Sequence, residues 1–160
     1  MKTISQRLKE LGKSPRAASK PVAAYVSTVR SGRLLFVSGQ VSRTADEVIA
    51  GLVGADISLS EGRRAAELAA LNLLAQIELA SGGALNSIHR IVRIGVFIAS
   101  APDFTQHSQV ADGASELLVA TFGEIGQHAR TAIGVSSLPT GVSVEIDAII
   151  EVGDQDERIN

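Results

Sequence analysis

The chain has 160 residues, 45% hydrophobic and 20% charged, with a net charge of -2 and no cysteine. That length suits a single domain spanning 1–160, and the acidic balance argues against a nucleic-acid binder, which would carry a basic field. The missing cysteines exclude disulfides, thiolate zinc sites and a cysteine nucleophile, and they fit a reducing, cytoplasmic setting.

The N-terminal stretch from Lys2 to Lys20 is rich in Lys and Arg, with Glu10 its only acid. It lacks the apolar core of a signal peptide, and no apolar run in the chain reaches the roughly 18–20 residues of a membrane span. An ordinary soluble helix over Ile4–Leu11 is expected in preference to a transit peptide, with Ile4, Leu8 and Leu11 on one side. Gly12 and Pro15 close it, and 13–21 is a polar connector.

The pattern over Ala24–Val29 predicts a strand. Ser31-Gly32 marks a turn, and Leu34–Val37 predicts a second, almost wholly apolar strand running into Ser38-Gly39-Gln40. The pair reads as a hairpin. A third strand is expected near Val48–Leu52. Ser58-Leu-Ser-Glu61 has the form of a capping box and opens a long Ala- and Leu-rich helix that Gly82-Gly83 ends. Ile88–Ile98 predicts a strand that grows more buried toward its end. Asp103 is the expected N-cap of a second long helix over Gln106–Phe122.

Two strands then flank a turn at Leu138-Pro139-Thr140-Gly141. Arg130 opens the first, and Glu145 stands inside the second among apolar residues. On facing strands, an Arg could pair bidentately with a small carboxylate while a Glu orients or deprotonates water. The same two residues also fit a cross-strand ion pair, a rim contact or two solvated charges, since such charges are common on strands. The alternation of helices and strands gives an α+β class: a mixed sheet with two helices on one face. The other face, apolar and without a helix, is expected to be covered by copies of the chain.

Other chemistries find no support. His89, His107 and His128 have no metal-ligand spacing; His128, close to Arg130, could fringe a cleft there but is expected as an exposed loop residue. Ser38 lacks a nucleophile-elbow motif. Gly51, Gly54, Gly82 and Gly83 lack the setting of a dinucleotide site and read as turns.

Several short blocks together resemble the RidA/YjgF family, in the branch labelled endoribonuclease L-PSP. They are Tyr25-Val26, Gly32 and Val37-Ser38-Gly39-Gln40, then Arg130, Leu138-Pro139 and Val144-Glu145-Ile146-Asp147-Ala148-Ile149. Val96-Phe97-Ile98, Asp103-Phe104 and the helix through Glu116 fall in the matching order, so the resemblance runs from about Tyr25 to Val152.

The resemblance implies a chorismate-mutase-like fold and a homotrimer with clefts between neighbouring subunits. It implies hydrolysis of reactive enamines and imines to 2-keto acids and ammonia, with no metal or organic cofactor. Residue by residue, it assigns Arg130 to the substrate carboxylate and Glu145 to the attacking water. Tyr25 and Ser38 become hydroxyls lining the cleft, and Gly39 a close backbone approach. Ala132 stands where many members have Cys, and Asp112 where many have Asn. The Asp adds a negative charge that would repel an anionic substrate if it faced the cleft. Three functions follow: an imine deaminase, a non-catalytic metabolite-binding trimer, and the ribonuclease of the label. The absence of a basic groove and of a catalytic His pair argues against the last. The expected partners are a small carboxylate-bearing metabolite and the chain itself, with no nucleic acid and no membrane.

Overall fold

A computed structural model describes residues 2–21 and 23–153. Residues 154–160, part of the single-domain expectation, lie outside the described residues. The elements are helix α1 (Ile4–Glu10), strands β1 (Thr28–Ser31) and β2 (Leu34–Val41), helix α2 (Leu59–Ser81), strand β3 (Ile88–Ala99), helix α3 (His107–Phe122), and strands β4 (Ala129–Val135) and β5 (Val144–Val152).

The five strands form one sheet in the order β1-β2-β5-β3-β4. Only β3 and β4 run parallel, and α3 makes the crossover between them. The last strand is threaded into the middle of the sheet, antiparallel to β2 on one side and β3 on the other. This corrects the expectation that Arg130 and Glu145 sit on facing strands. The turn at Leu138–Gly141 does not close a hairpin, because β3 lies between β4 and β5. Pro139–Gly141 is instead a short 3-10 turn, with Thr140 at φ 57.

Burial explains the layering. In β5, Val144, Ile146, Ala148, Ile150 and Val152 are buried, and Glu145, Asp147, Ile149 and Glu151 between them are partly exposed. The period of two sends the first set under the helices and the second to the open face. Helix α2 covers β2 and β5, while α3 lies over β3 and β4. Leu73, Leu74, Ile77, Ile91, Ile94, Ile98, Leu118, Ile146 and Ile150 form the fully buried centre. Small residues let the helices close up: at Gly113, a Cβ would collide with the Arg63 carbonyl of α2. Among the described residues no helix covers the other face, which presents Val29, Leu34, Phe36 and Ile133 to solvent.

Local signals held where their partners are near in sequence. Ser58 and Glu61 form both halves of a capping box at the start of α2, and Gly82 ends it in the left-handed region at φ 74. Helix α1 follows a capping box of its own, Thr3 with Gln6, and buries Ile4 and Leu8. Three expectations need correction. The first strand begins at Thr28, so Tyr25 and Val26 belong to the segment leading into it. Residues 48–52 form no strand; they make single bridges, Arg43 to Val48 and Ala50 to Val142, because Gly51 turns the chain at φ 106. Asp103 does not cap α3; Gln106 holds that position, with no side-chain cap bond. No helix among the described residues is long and apolar enough to cross a membrane.

Candidate functional site

The predicted site residues fall into two groups on opposite faces of the sheet. The first group, Tyr25, Ser38, Gly39 and Glu145, lines a depression of about 660 Å³ on the open face. A bulge in the pairing of β2 with β5, between Val37 and Gln40, throws Ser38 and Gly39 out of the ladder. Gln40 supports the bulge by donating from Nε2 to the carbonyls of Ser38 (3.1 Å) and Gly39 (3.2 Å). Ser38 Oγ donates to Val26 O at 2.7 Å, and Ser38 N donates to Ser27 O at 2.9 Å. These bonds hold the segment bearing Tyr25, half of whose surface is exposed, against the start of the depression.

Glu145 lies against Gly39 so closely that a Cβ there would collide with its Oε1. A side chain at position 39 would push the carboxylate out of this place. Among the described residues that carboxylate has no hydrogen-bond or ion-pair partner. Burial raises its pKa above the ordinary 4.5, and the neighbouring charge of Asp147 raises it further. Asp147 is occupied: its Oδ1 accepts from Gly95 N at 3.0 Å and stands 3.8 Å from Arg93 Nη1. Arg93, Phe36, Ile149 and Pro139 also line the depression.

The second group, Arg130, Ala132 and Asp112, lies on the helix-covered face at the β4 edge. Arg130 Nη1 donates to Asp112 Oδ1 at 2.8 Å and to Ser115 Oγ at 3.0 Å, and Nη2 donates to Ser108 O at 3.3 Å. All three acceptors belong to α3. Asp112 therefore meets the guanidinium directly, and its charge is partly balanced there; Arg63 stands 4.0 Å from its other oxygen. Ala132 packs partly buried against the core. Because β4 is the edge of the sheet, its outer row of backbone donors and acceptors has no strand partner among the described residues.

Within one chain the two groups do not meet. Arg130 pairs with Ile94 and Glu145 with Phe97 on opposite sides of β3. That separates them by about 10 Å along the strand and about 10 Å across it, besides the change of face.

Sequence reasoning gave no role to Arg93, Asp147, Gln40 or Ser115; it set His128 in a loop near Arg130, as found, but expected it to be exposed. Asp147 was detectable, since it follows Glu145 by the strand period of two. Ser115 follows Asp112 by three residues on one helix face. His128 is half-buried, with Nε2 2.9 Å from Ser115 Oγ and Nδ1 2.6 Å from Gly126 O. Burial lowers its pKa, the Gly126 bond opposes this, and the charge of Arg130 adds to the lowering. Among the described residues no three His, Asp or Glu side chains gather to hold a metal ion.

The sequence and the α+β fold match one group of known proteins. Residues 15–152 match the family model described as endoribonuclease L-PSP, and the chain belongs to that family, which includes the RidA proteins. It is 42% identical to the protein TCP17 of Trypanosoma cruzi, covering 93% of this chain and 94% of that one. It is 45% identical to Atu1372 of Agrobacterium tumefaciens, a protein of unknown function whose crystal structure superposes with a TM-score of 0.87, covering 94% of this chain and 92% of that one. A 2-iminobutanoate/2-iminopropanoate deaminase of Dermatophagoides farinae is 27% identical, covering 84% of this chain and 91% of that one.

Proposed function

We propose that the protein hydrolyses small imines or enamines bearing a carboxylate, releasing a 2-keto acid and ammonia. The observation that carries this reading is the unpartnered, half-buried carboxylate of Glu145 above Gly39. A carboxylate held above its usual pKa is a better base toward water than a solvated one, and positioned bases of this kind contribute about 10²–10⁴-fold. An enamine first takes a proton at carbon to become the imine; water then adds to the imine carbon, giving one proton to Glu145 as the nitrogen gains one, and the carbinolamine collapses to the keto acid and ammonia. The kinship with a deaminase of 2-imino acids supports the substrate class.

Arg130 is the proposed grip for the substrate carboxylate. It lies on the far face of its own sheet, so the reading requires a second copy to bring an Arg130 to each Glu145. The bare apolar face supports such an assembly, since Val29, Leu34, Phe36 and Ile133 would be buried by it. The assembly proposed is a homotrimer of the chorismate-mutase-like type, with three shared clefts. No nucleic acid enters this reading, and the net charge of -2 supports that.

A second reading has an observation of its own. Asp112 already pairs with Arg130 at 2.8 Å, so a ligand carboxylate must share that cation. This favours a trimer that binds keto acids without turnover. An assay separates the two: an amino-acid oxidase generates 2-iminobutyrate in situ, semicarbazide traps what is not hydrolysed, and calorimetry follows 2-oxobutanoate. Less trapped product with wild type than with Arg130→Ala is expected. Equal trapping with tight 2-oxobutanoate binding would favour the binding trimer.

A further inference from the structure

We propose that Ser115 and His128 form a positioning relay that sets the plane of the Arg130 guanidinium and presents one edge of it to a carboxylate ligand. The hydrogen-bond directions follow from chemistry. His128 Nδ1 stands 2.6 Å from Gly126 O. A carbonyl only accepts, so Nδ1 carries the ring proton and Nε2 of the neutral ring is an acceptor. Ser115 Oγ, 2.9 Å from Nε2, must donate to it. With its single proton committed, Ser115 Oγ offers lone pairs alone, and Arg130 Nη1 donates to it at 3.0 Å.

The guanidinium is thereby specified. Three of its five N–H donors go to α3: two from Nη1, to Asp112 and Ser115, and one from Nη2, to Ser108 O. Nε–H and the second Nη2 hydrogen have no partner among the described residues. With Ser108 O taking the Nη2 hydrogen on the Nη1 side, the two free hydrogens share the Nε–Nη2 edge, which pairs bidentately with a carboxylate. Asp112 and the longer contact to the Ser108 carbonyl leave the plane loosely held. Ser115 supplies the third point, and His128 keeps its hydroxyl from turning toward a helix carbonyl. Burial keeps the imidazole in the neutral form this arrangement needs. The charges around it are Arg130 on β4 and, beyond the guanidinium, Asp112 on α3.

The relay's use rests on the reading of Arg130 as a carboxylate grip, but its existence is testable without any ligand. In the full chain labelled with ¹⁵N-arginine, the two Nη groups of Arg130 should give separate resonances, because the clamp slows rotation about Cζ–Nε. The signals are assigned by their loss in Arg130→Lys. Ser115→Ala and His128→Leu should merge them, while His128→Gln, whose amide oxygen still accepts from Ser115, should keep them apart. Thermal melts confirm that each variant is folded. Binding of 2-oxobutanoate should weaken about tenfold in His128→Leu and Ser115→Ala and recover in His128→Gln. Separate resonances in both folded Ser115→Ala and His128→Leu would overturn the relay. Equal 2-oxobutanoate binding by wild type and Arg130→Ala would instead overturn the grip, and with it the relay's use, while the spectra still decide whether the relay exists.

Discussion

Arg130 and Glu145 were both assigned to one site, yet their surroundings differ in kind. The guanidinium is held by three acceptors of one helix, at 2.8, 3.0 and 3.3 Å. The carboxylate has no such partner and rests against a glycine on a bare sheet. One half of the site is finished inside its own chain. The other half is open, and burial with the nearby Asp147 disfavours its charged form. Pre-organised groups bind, and under-solvated groups react. The contrast fits the proposed roles of grip and base, which a second chain would have to bring together.

The largest effects should come from removing either half. Glu145→Gln and Arg130→Ala should each lower imine hydrolysis by about 10²-fold or more. Glu145→Gln should leave 2-oxobutanoate binding nearly intact, whereas Arg130→Ala should abolish it. Loss of binding in both variants would dissolve the division between grip and base.

A sharper test mixes the two inactive variants after unfolding and refolding together. If each cleft takes Arg130 from one copy and Glu145 from the next, random assembly should restore about a quarter of wild-type activity. No recovery, in a mixture shown by light scattering to be oligomeric, would mean that the two residues do not share a cleft.

The two faces of the sheet should respond differently to truncation. Leu74, fully buried under the helices, should cost about 2–5 kcal/mol when changed to Ala, read from denaturant unfolding. Phe36→Ser, on the open face, should lower the mass found by light scattering instead. An unchanged mass would argue that this face is not an interface.

The smallest effect concerns pH. Glu145 has a folded pKa above its unfolded value, so the fold binds its proton more tightly than the open chain does. Stability from this group is greatest at low pH and is lost as pH rises through the folded value. Glu145→Gln should therefore raise Tm slightly at pH 7 and bring no gain below the ordinary carboxylate value of 4.5. A gain of equal size at both pH values would point to a cause other than the charge. The acid limb of activity should likewise lie above 4.5.

Much of this protein was legible in its residues. The capping box at Ser58 and Glu61, the helix-ending Gly82 and the hairpin turn at Gly32 are all local, and each appears as expected. Such features are decided by hydrogen bonds and side-chain periods within a few residues. The resemblance also brought Tyr25, Ser38, Gly39 and Glu145 into one set, and they share one depression. Sequence was silent on the threading of β5 between β2 and β3, because strand order depends on which apolar faces pack under α2 and α3. Adjacency along the chain therefore misled: Arg130 and Glu145, separated by one turn in sequence, stand on opposite faces of the sheet. Tertiary structure alone decided that Asp112, Ser115 and Arg130 would converge and that His128 would be drawn in behind them. The reason is that α3 packs over the β4 edge, so a helix face and a strand face meet that no spacing in the sequence connects.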